Sequence, residues 1–333
     1  MKYRTMVQGS WMRFLGLAAL MLLGHAAFAQ DSVQSYPSKP VKVILTFPAG
    51  GGVDVIARAL AQKLSDSTGQ QFIVDNRPGA GGIVAAEALT KSAADGYTLL
   101  FALDTVLTVT PQLFPNTPFD VKRDFVPISI VAESPLVVLT APTANIATIS
   151  DLIAKAKVNP NAINFGSGGN GSSGHLAAEL LASMAGGTMT HVPYKGGPQV
   201  LTDLAGGQLQ MTVLSLAASN AMVQAGKARL IAVTGARRLA GYPEVPTVAE
   251  SGLPGYKAGF WVGLLAPAGT PRAIIDKLNW EVQKVLKLPD LRLQLQKTGV
   301  DPVGGSPEQF AATIDSETKV WGDILRQKNI KLN

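Results

Sequence analysis

The chain has 333 residues, 47% of them hydrophobic and only 16% charged, a balance that excludes disorder and suits a packed protein of about two domains. The formal charge of +6 is partly an end effect, because Lys2, Arg4 and Arg13 fall within the first 29 residues and no acid does, leaving 26 basic against 23 acidic residues beyond them. So small a net charge, with no Lys/Arg run, argues against a nucleic-acid partner. The absence of cysteine excludes disulfides, thiolate metal sites, cysteine nucleophiles and a lipid-acylated N-terminus.

Residues 1–29 combine a basic start, an apolar run from Phe14 and the triplet Ala27-Phe28-Ala29, the pattern of a cleaved export signal. The run of about 14 residues is shorter than a membrane span requires. The expectation is a periplasmic chain, soluble after cleavage near Ala29.

From Val41 onward, β-rich runs alternate with helical periodicity, which predicts an α/β fold with parallel strands. VKVILTF (41–47), FIVDN (72–76) and YTLLFA (97–102) are strands of a first set, separated by helices over about 53–66 and 83–91. PISIVA and LVVLTAP, from Ile128 to Pro142, open a second set, followed by a helix capped by Ser150. AINFGS (162–167), MTHVPY (189–194), QMTVLSL (210–216) and RLIAVTG (229–235) continue it. GFWVGLLAPAG (259–269) returns to a strand, Thr270-Pro271 open a helix to Leu286, and Ser306 caps a last helix to about Lys328.

Two strand-to-helix loops carry the chemistry. In Phe47-Pro48-Ala49-Gly50-Gly51-Gly52-Val53-Asp54, three consecutive glycines strip the Cβ atoms from a loop that leads into a helix N-terminus, where amides and the helix dipole attract an anion. In Phe165-Gly166-Ser167-Gly168-Gly169-Asn170-Gly171-Ser172-Ser173-Gly174-His175, the G-x-G-x-x-G spacing invites a dinucleotide. The next strand ends His191-Val192-Pro193-Tyr194-Lys195, without the acid that a ribose needs. The serine hydroxyls suit a small polar ligand, and no nucleotide phosphate loop occurs. Two such loops in separate α/β halves would grip one ligand from both sides. No Ser-elbow, zincin motif or metal-ligand spacing is present, so no catalytic residue, metal or cofactor is assigned.

VKVILTFPAGGGVD (41–54), VDNRPGAGG (74–82), DGYTLL (95–100), GSSGHLAAELL (171–181), HVPYKGG (191–197) with Asp203 downstream, GLLAPAGTP (263–271) and PVGGSPEQF (302–310) resemble, in order, the tripartite tricarboxylate transporter substrate-binding proteins, the Bug or TctC family. The resemblance implies a two-domain periplasmic binding protein of the Venus flytrap type, with a hinge crossed twice and a ligand cleft between domains 31–132 plus 256–333 and 133–255. It implies a small carboxylate ligand (a mono- or dicarboxylate, an amino acid or an aromatic acid), delivery to membrane permease subunits, and a monomer. A ligand-sensing role beside a sensor kinase is the alternative; a periplasmic enzyme is the least supported.

The expected ligand-binding set is Phe47, Pro48, Ala49, Gly50, Gly51, Asp54, Asp104, Thr105, Ser167, Gly168, Gly169, Asn170, Ser172, Ser173, His175, Lys195, Asp203 and Trp261. Within it, Asp54 either orders the first loop or simply complements the helix dipole. Asp104, after the third strand, would disfavour a polyanion if it faced the cleft. Asp203 would meet a ligand amine or hydroxyl or else solvent, His175 would donate to a carboxylate or pack behind one, and Lys195 is the nearest cation. Phe47 and Trp261 are cleft walls or core.

Overall fold

The computed structural model describes residues 35–330 except Pro48, Gly51, Pro115, Pro160, Asn161, Lys195 and Thr298. The export segment and three of the expected site residues, Pro48, Gly51 and Lys195, therefore lie outside the described residues.

The chain begins with β1 (Val41–Leu45), α1 (Gly52–Thr68), β2 (Phe72–Asn76), α2 (Ile83–Thr90) and β3 (Thr98–Leu103), then the short turns α3 (Asp104–Thr108), α4 (Thr110–Leu113) and α5 (Val121–Asp124). The 16-residue β4 (Phe125–Thr140) leads into α6 (Ile149–Val158), β5 (Asn164–Ser167), α7 (Ser173–Ala185), β6 (Thr190–Pro193), α8 (Gly197–Ala205), β7 (Met211–Ser215), α9 (Leu216–Gln224) and β8 (Arg229–Val233). β9 (Gly259–Pro267), α10 (Arg272–Val285), α11 (Pro289–Lys297), β10 (Asp301–Pro302) and α12 (Pro307–Gln327) complete it.

Strand order is β2-β1-β3-β9-β4-β7-β5-β6, with β8 and β10 also on β4. β1 pairs in parallel with β2 and β3, and β5 with β6 and β7, as the βαβ pattern predicts. β4 and β9 run antiparallel because they carry the chain between lobes. β4 pairs with β9 from Phe125↔Pro267 to Pro135↔Gly259 and then, from Leu136, with β7 and β8. PISIVA and LVVLTAP are thus one strand passing from the first lobe to the second. The return crossing is at Ala258–Gly259, where Ala258 N donates to Thr234 O in the second lobe.

Each lobe has its own core. In the first, alternation on β1 points Val43 and Leu45 toward α1 and α10, and Ile44 toward α2. In the second, Val137, Leu139, Phe165, Met211 and Val213 pack with α6 and α7. α12 spans both: Phe310 and Ile314 join the first-lobe core, while Trp321 and Leu325 join that of the second. Its cap is as expected, a box between Ser306 and Gln309. The cap of α6 is not at Ser150: Thr148 accepts from Asp151 N, and Asp151 returns a bond to the Thr148 amide, a reciprocal T-x-x-D box.

Candidate ligand-binding cleft

Parallel strands place the N-termini of the following helices at their carboxyl ends, where α/β proteins bind ligands. The first loop leaves β1 there, and the second leaves β5.

The first loop is held from below by Asp54. Its Oδ2 accepts from Gly50 N at 2.9 Å and Arg58 Nε at 3.0 Å, and its Oδ1 from Asn76 Nδ2 at 2.9 Å. Asn76 Nδ2 also donates to Phe47 O at 3.0 Å, so one carboxylate and one amide fix both ends of the loop. Burial alone would raise the Asp54 carboxyl, but donation from Arg58, Gly50 and Asn76 outweighs it and holds the pKa at about 2. Asp54 is only 4% exposed. Ala49 and Gly50 are exposed and Phe47 is half-buried, so the loop presents backbone to solvent with its ordering group beneath.

The second loop has a similar logic with different parts. Ser172 caps α7, its Oγ accepting from His175 N. Ser173 and Gly174, the first two helical residues, have amides without intrahelical acceptors. A Cβ on Gly174 would lie 2.2 Å from Val213 O, so glycine lets the start of α7 sit directly on β7. Below the loop, Ser167 Oγ lies 2.6 Å from His191 Nε2 and 3.1 Å from both N and O of Gly169. Gly171 N donates to His175 Nδ1 at 3.1 Å. Beside it, Tyr194 donates its hydroxyl to Asp203 Oδ2 at 2.6 Å; burial and that carboxylate push the phenol up to about 12.

The lobes meet where the second loop reaches the segment following β3. Leu113 Cδ1 stands 2.7 Å from the place a Cβ on Gly171 would take, and Gly171 has a φ of +74°. Thr110 in the same segment donates to Gly81 O at 3.1 Å, tying it to the loop after β2. The second glycine loop thus touches the first lobe through the segment after β3, which is itself tied to the loop after β2.

The expected site residues divide into two layers. Phe47, Ala49, Gly50, Thr105, Gly168, Gly169, Asn170, Ser172, Ser173 and Asp203 are exposed or half-buried. Asp54, Asp104, Ser167, His175 and Trp261 are all under 5% exposed. Asp104 accepts from Thr105 N at 2.7 Å; burial, with the nearby Glu317 charge, pushes its pKa well above the ordinary range. At 1% exposure it is buried rather than facing a cleft, so the expected bias against polyanions loses its footing. Trp261 packs edge-on to Phe310 at 5.1 Å and donates to Glu317 at 2.9 Å, a core role. Asn76, Arg58, His191 and Tyr194 were not among the expected residues. Among the described residues, no group of three or more His, Cys, Asp or Glu is placed to hold a metal ion.

The two histidines make stability depend on pH. Burial, reinforced for His175 by His191, lowers His175 to about 3, and burial lowers His191 to about 4. Between those values and the ordinary 6.5 the unfolded chain binds protons that the folded chain refuses. Stability is therefore full above pH 6.5 and falls as the pH drops, by up to about 1.4 kcal/mol per unit for each ring. Asp104, Glu179 and Glu317, whose pKa values are raised, act in the opposite sense. The expected result is read as a difference: between pH 6.5 and 4, His191→Phe loses less stability in urea titrations than the parent chain.

Two α/β lobes joined by antiparallel crossing strands, each with a glycine loop at the carboxyl end of a parallel strand, have the build of a clamshell solute-binding protein. The profile of the tripartite tricarboxylate transporter family receptors matches residues 56–330, and the chain belongs to that family, whose members are periplasmic substrate-binding receptors rather than enzymes. A UPF0065 protein from the tcbD-tcbE intergenic region of Pseudomonas sp. strain P51 is 37% identical, covering 96% of this chain and 95% of its own. Rpa4515 of R. palustris, solved with adipate, superposes with a TM-score of 0.75 at 34% identity over 89% of this chain and 99% of its own. MatC of Rhodopseudomonas palustris, solved with bound malate, gives 0.71 at 28% identity over 87% of this chain and 100% of its own. No helix among the described residues is long and apolar enough to cross a membrane.

Proposed function

We propose that this chain captures a small dicarboxylate between the loops at 47–54 and 167–175 and delivers it to the membrane subunits of a tripartite tricarboxylate transporter. The observation that carries this reading is the pair of loops, each ordered by buried side chains and each leading into a helix start with exposed or half-buried residues. Asp54, Ser167 and His175 act through those loops rather than on the ligand. Adipate and malate in two similar proteins support the ligand class.

The charge arrangement favours two carboxylates over three. Among the described residues, the arginines nearest the first loop are committed: Arg58 to Asp54 and Arg77 to Asp75, at 3.0 and 2.9 Å. Binding then rests on amides and hydroxyls. Charge-assisted hydrogen bonds contribute about 1.5–3 kcal/mol each, so four or five supply the roughly 8 kcal/mol of a micromolar complex only when both loops engage at once, which couples capture to lobe closure. The reading includes export and cleavage near Ala29, a division at the two strand crossings into 31–132 plus 256–333 and 133–255, and a monomer in solution.

Calorimetry of the mature chain against adipate, malate, citrate and benzoate tests it. Micromolar binding of a dicarboxylate, with citrate at least tenfold weaker, is the expected result. Preference for citrate or for an uncharged solute would overturn it.

A further inference from the structure

Three amides of the second loop are bonded within it: Ser172 N donates to Gly169 O, and two others reach side chains. Gly169 N is turned down to Ser167 Oγ and Gly171 N to His175 Nδ1, both acceptors being 2% exposed or less. The acceptors rest on a column of rings. His175 and His191 lie face to face at 3.7 Å and 10°, and Phe165 stacks on His191 at 4.9 Å and 27°. Such a cofacial pair is compatible with at most one charge.

The hydrogen-bond inventory fixes the tautomers. His175 accepts through Nδ1, so its proton sits on Nε2, facing Glu179 Oε1 at 3.9 Å. Ser167 satisfies its three contacts together only if it accepts from His191 Nε2–H and from Gly169 N and donates to Gly169 O. His175 is then neutral with its proton on Nε2, and His191 also carries a proton on Nε2; burial, which disfavours the charged form of His191, keeps that ring neutral as well. Glu179 is in turn paired with Lys328 at 3.3 Å, just past α12, which places the other charges that face the pair.

We propose that His175 and His191 are positioning residues for ligand capture: the stacked neutral pair pulls the Gly169 and Gly171 amides inward and thereby sets the loop so that the start of α7 presents its free amides to a carboxylate. This role rests on the proposed function, since these groups aim the loop that would hold the ligand. Phe165, Ser167 and the stack need only neutral rings with the correct tautomer; neither ring touches the ligand.

The test uses the mature chain without residues 1–29, in which His175 and His191 are the two histidines remaining of the three in the sequence. Labelling histidine with nitrogen-15 gives spectra of these two rings alone, and adipate serves as the probe ligand in calorimetry. Both imidazoles are expected to be neutral Nε2–H tautomers at pH 6. His191→Phe keeps the stack but removes the donor to Ser167, and is expected to weaken adipate binding about tenfold or more with the fold intact. His191→Gln, whose side-chain amide can donate from the same region, is expected to recover most of that loss. An Nδ1–H tautomer at His175, or equal adipate affinity in the parent chain and His191→Phe, would overturn the proposal. If the parent chain does not bind adipate, the ligand assignment fails separately, and amide exchange decides the positioning: Gly169 protected in the parent chain and exposed in His191→Phe supports it, whereas unchanged protection of Gly169 refutes it.

Discussion

Asp54→Ala is expected to lower dicarboxylate affinity by about 30- to 100-fold, roughly 2–3 kcal/mol, through loss of the charged acceptor that orders the first loop. Three donors converge on this carboxylate: the Gly50 amide, the Arg58 guanidinium and the Asn76 carboxamide. Alanine leaves all three without their acceptor and frees Gly50, whose φ of +84° gives it no intrinsic reason to stay as it is. Asn76 retains its bond to Phe47 O, so the loop loosens at its glycine end while β1 and β2 remain paired. The fold should survive. Calorimetric affinity measured together with a thermal midpoint separates the two effects, and a loss of midpoint matching the loss of affinity would mean that Asp54 acts on the fold rather than on the loop. Because its pKa is depressed to about 2, the Asp54 contribution is complete above about pH 4. It is lost as the pH falls from about 4 toward 2, below most of the window in which the histidines act.

Trp321→Ala carries the second large effect, on stability. The indole is 5% exposed and sits in the second-lobe core although its helix starts in the first. Large-to-small changes of this kind cost about 3–5 kcal/mol. Leu325 and the Lys328–Glu179 pair continue the same contact, so α12 acts as a third connection beside the two strand crossings. Calorimetric unfolding is the measurement. The expected outcome is a lowered midpoint with the second lobe melting ahead of the first, and a shift confined to the first lobe would contradict the bridging role.

Much of this architecture is legible in the sequence because the strands are short, apolar and bounded by turn residues. FIVDN (72–76) coincides with β2, and the other strand runs match within two or three residues. The break in legibility falls at Glu133-Ser134-Pro135, which has the composition of a turn. It is instead the point where β4 changes partners, and Pro135 is tolerated there because pairing with β9 ends at that residue and pairing with β7 and β8 begins at Leu136. The cap at Thr148 was readable from the T-x-x-D spacing, which outweighs a lone serine two residues later.

The site was legible at the level of loops and not of layers. Glycine runs after strands mark where backbone meets ligand. They do not tell whether Asp104 or Ser167 looks outward or inward, since that depends on which face of the strand end the next helix covers. The His175–His191 stack needs the register of β5 on β6, Phe165↔His191, a nonlocal pairing that no local pattern carries. Asn76 is similar: it ends a strand that pairs Leu45↔Asn76, which brings it beneath a loop some 25 residues earlier in the chain.

A crystal structure of the mature chain grown with adipate bears most directly on the account. One ligand carboxylate should lie about 3 Å from backbone amides of the first loop, with the same molecule reaching the start of α7 and the lobes drawn together around it. Adipate bound away from both loops, for example in the hollow beside Arg229 and Tyr242 on the second lobe, or held by one loop with the lobes apart, would contradict it.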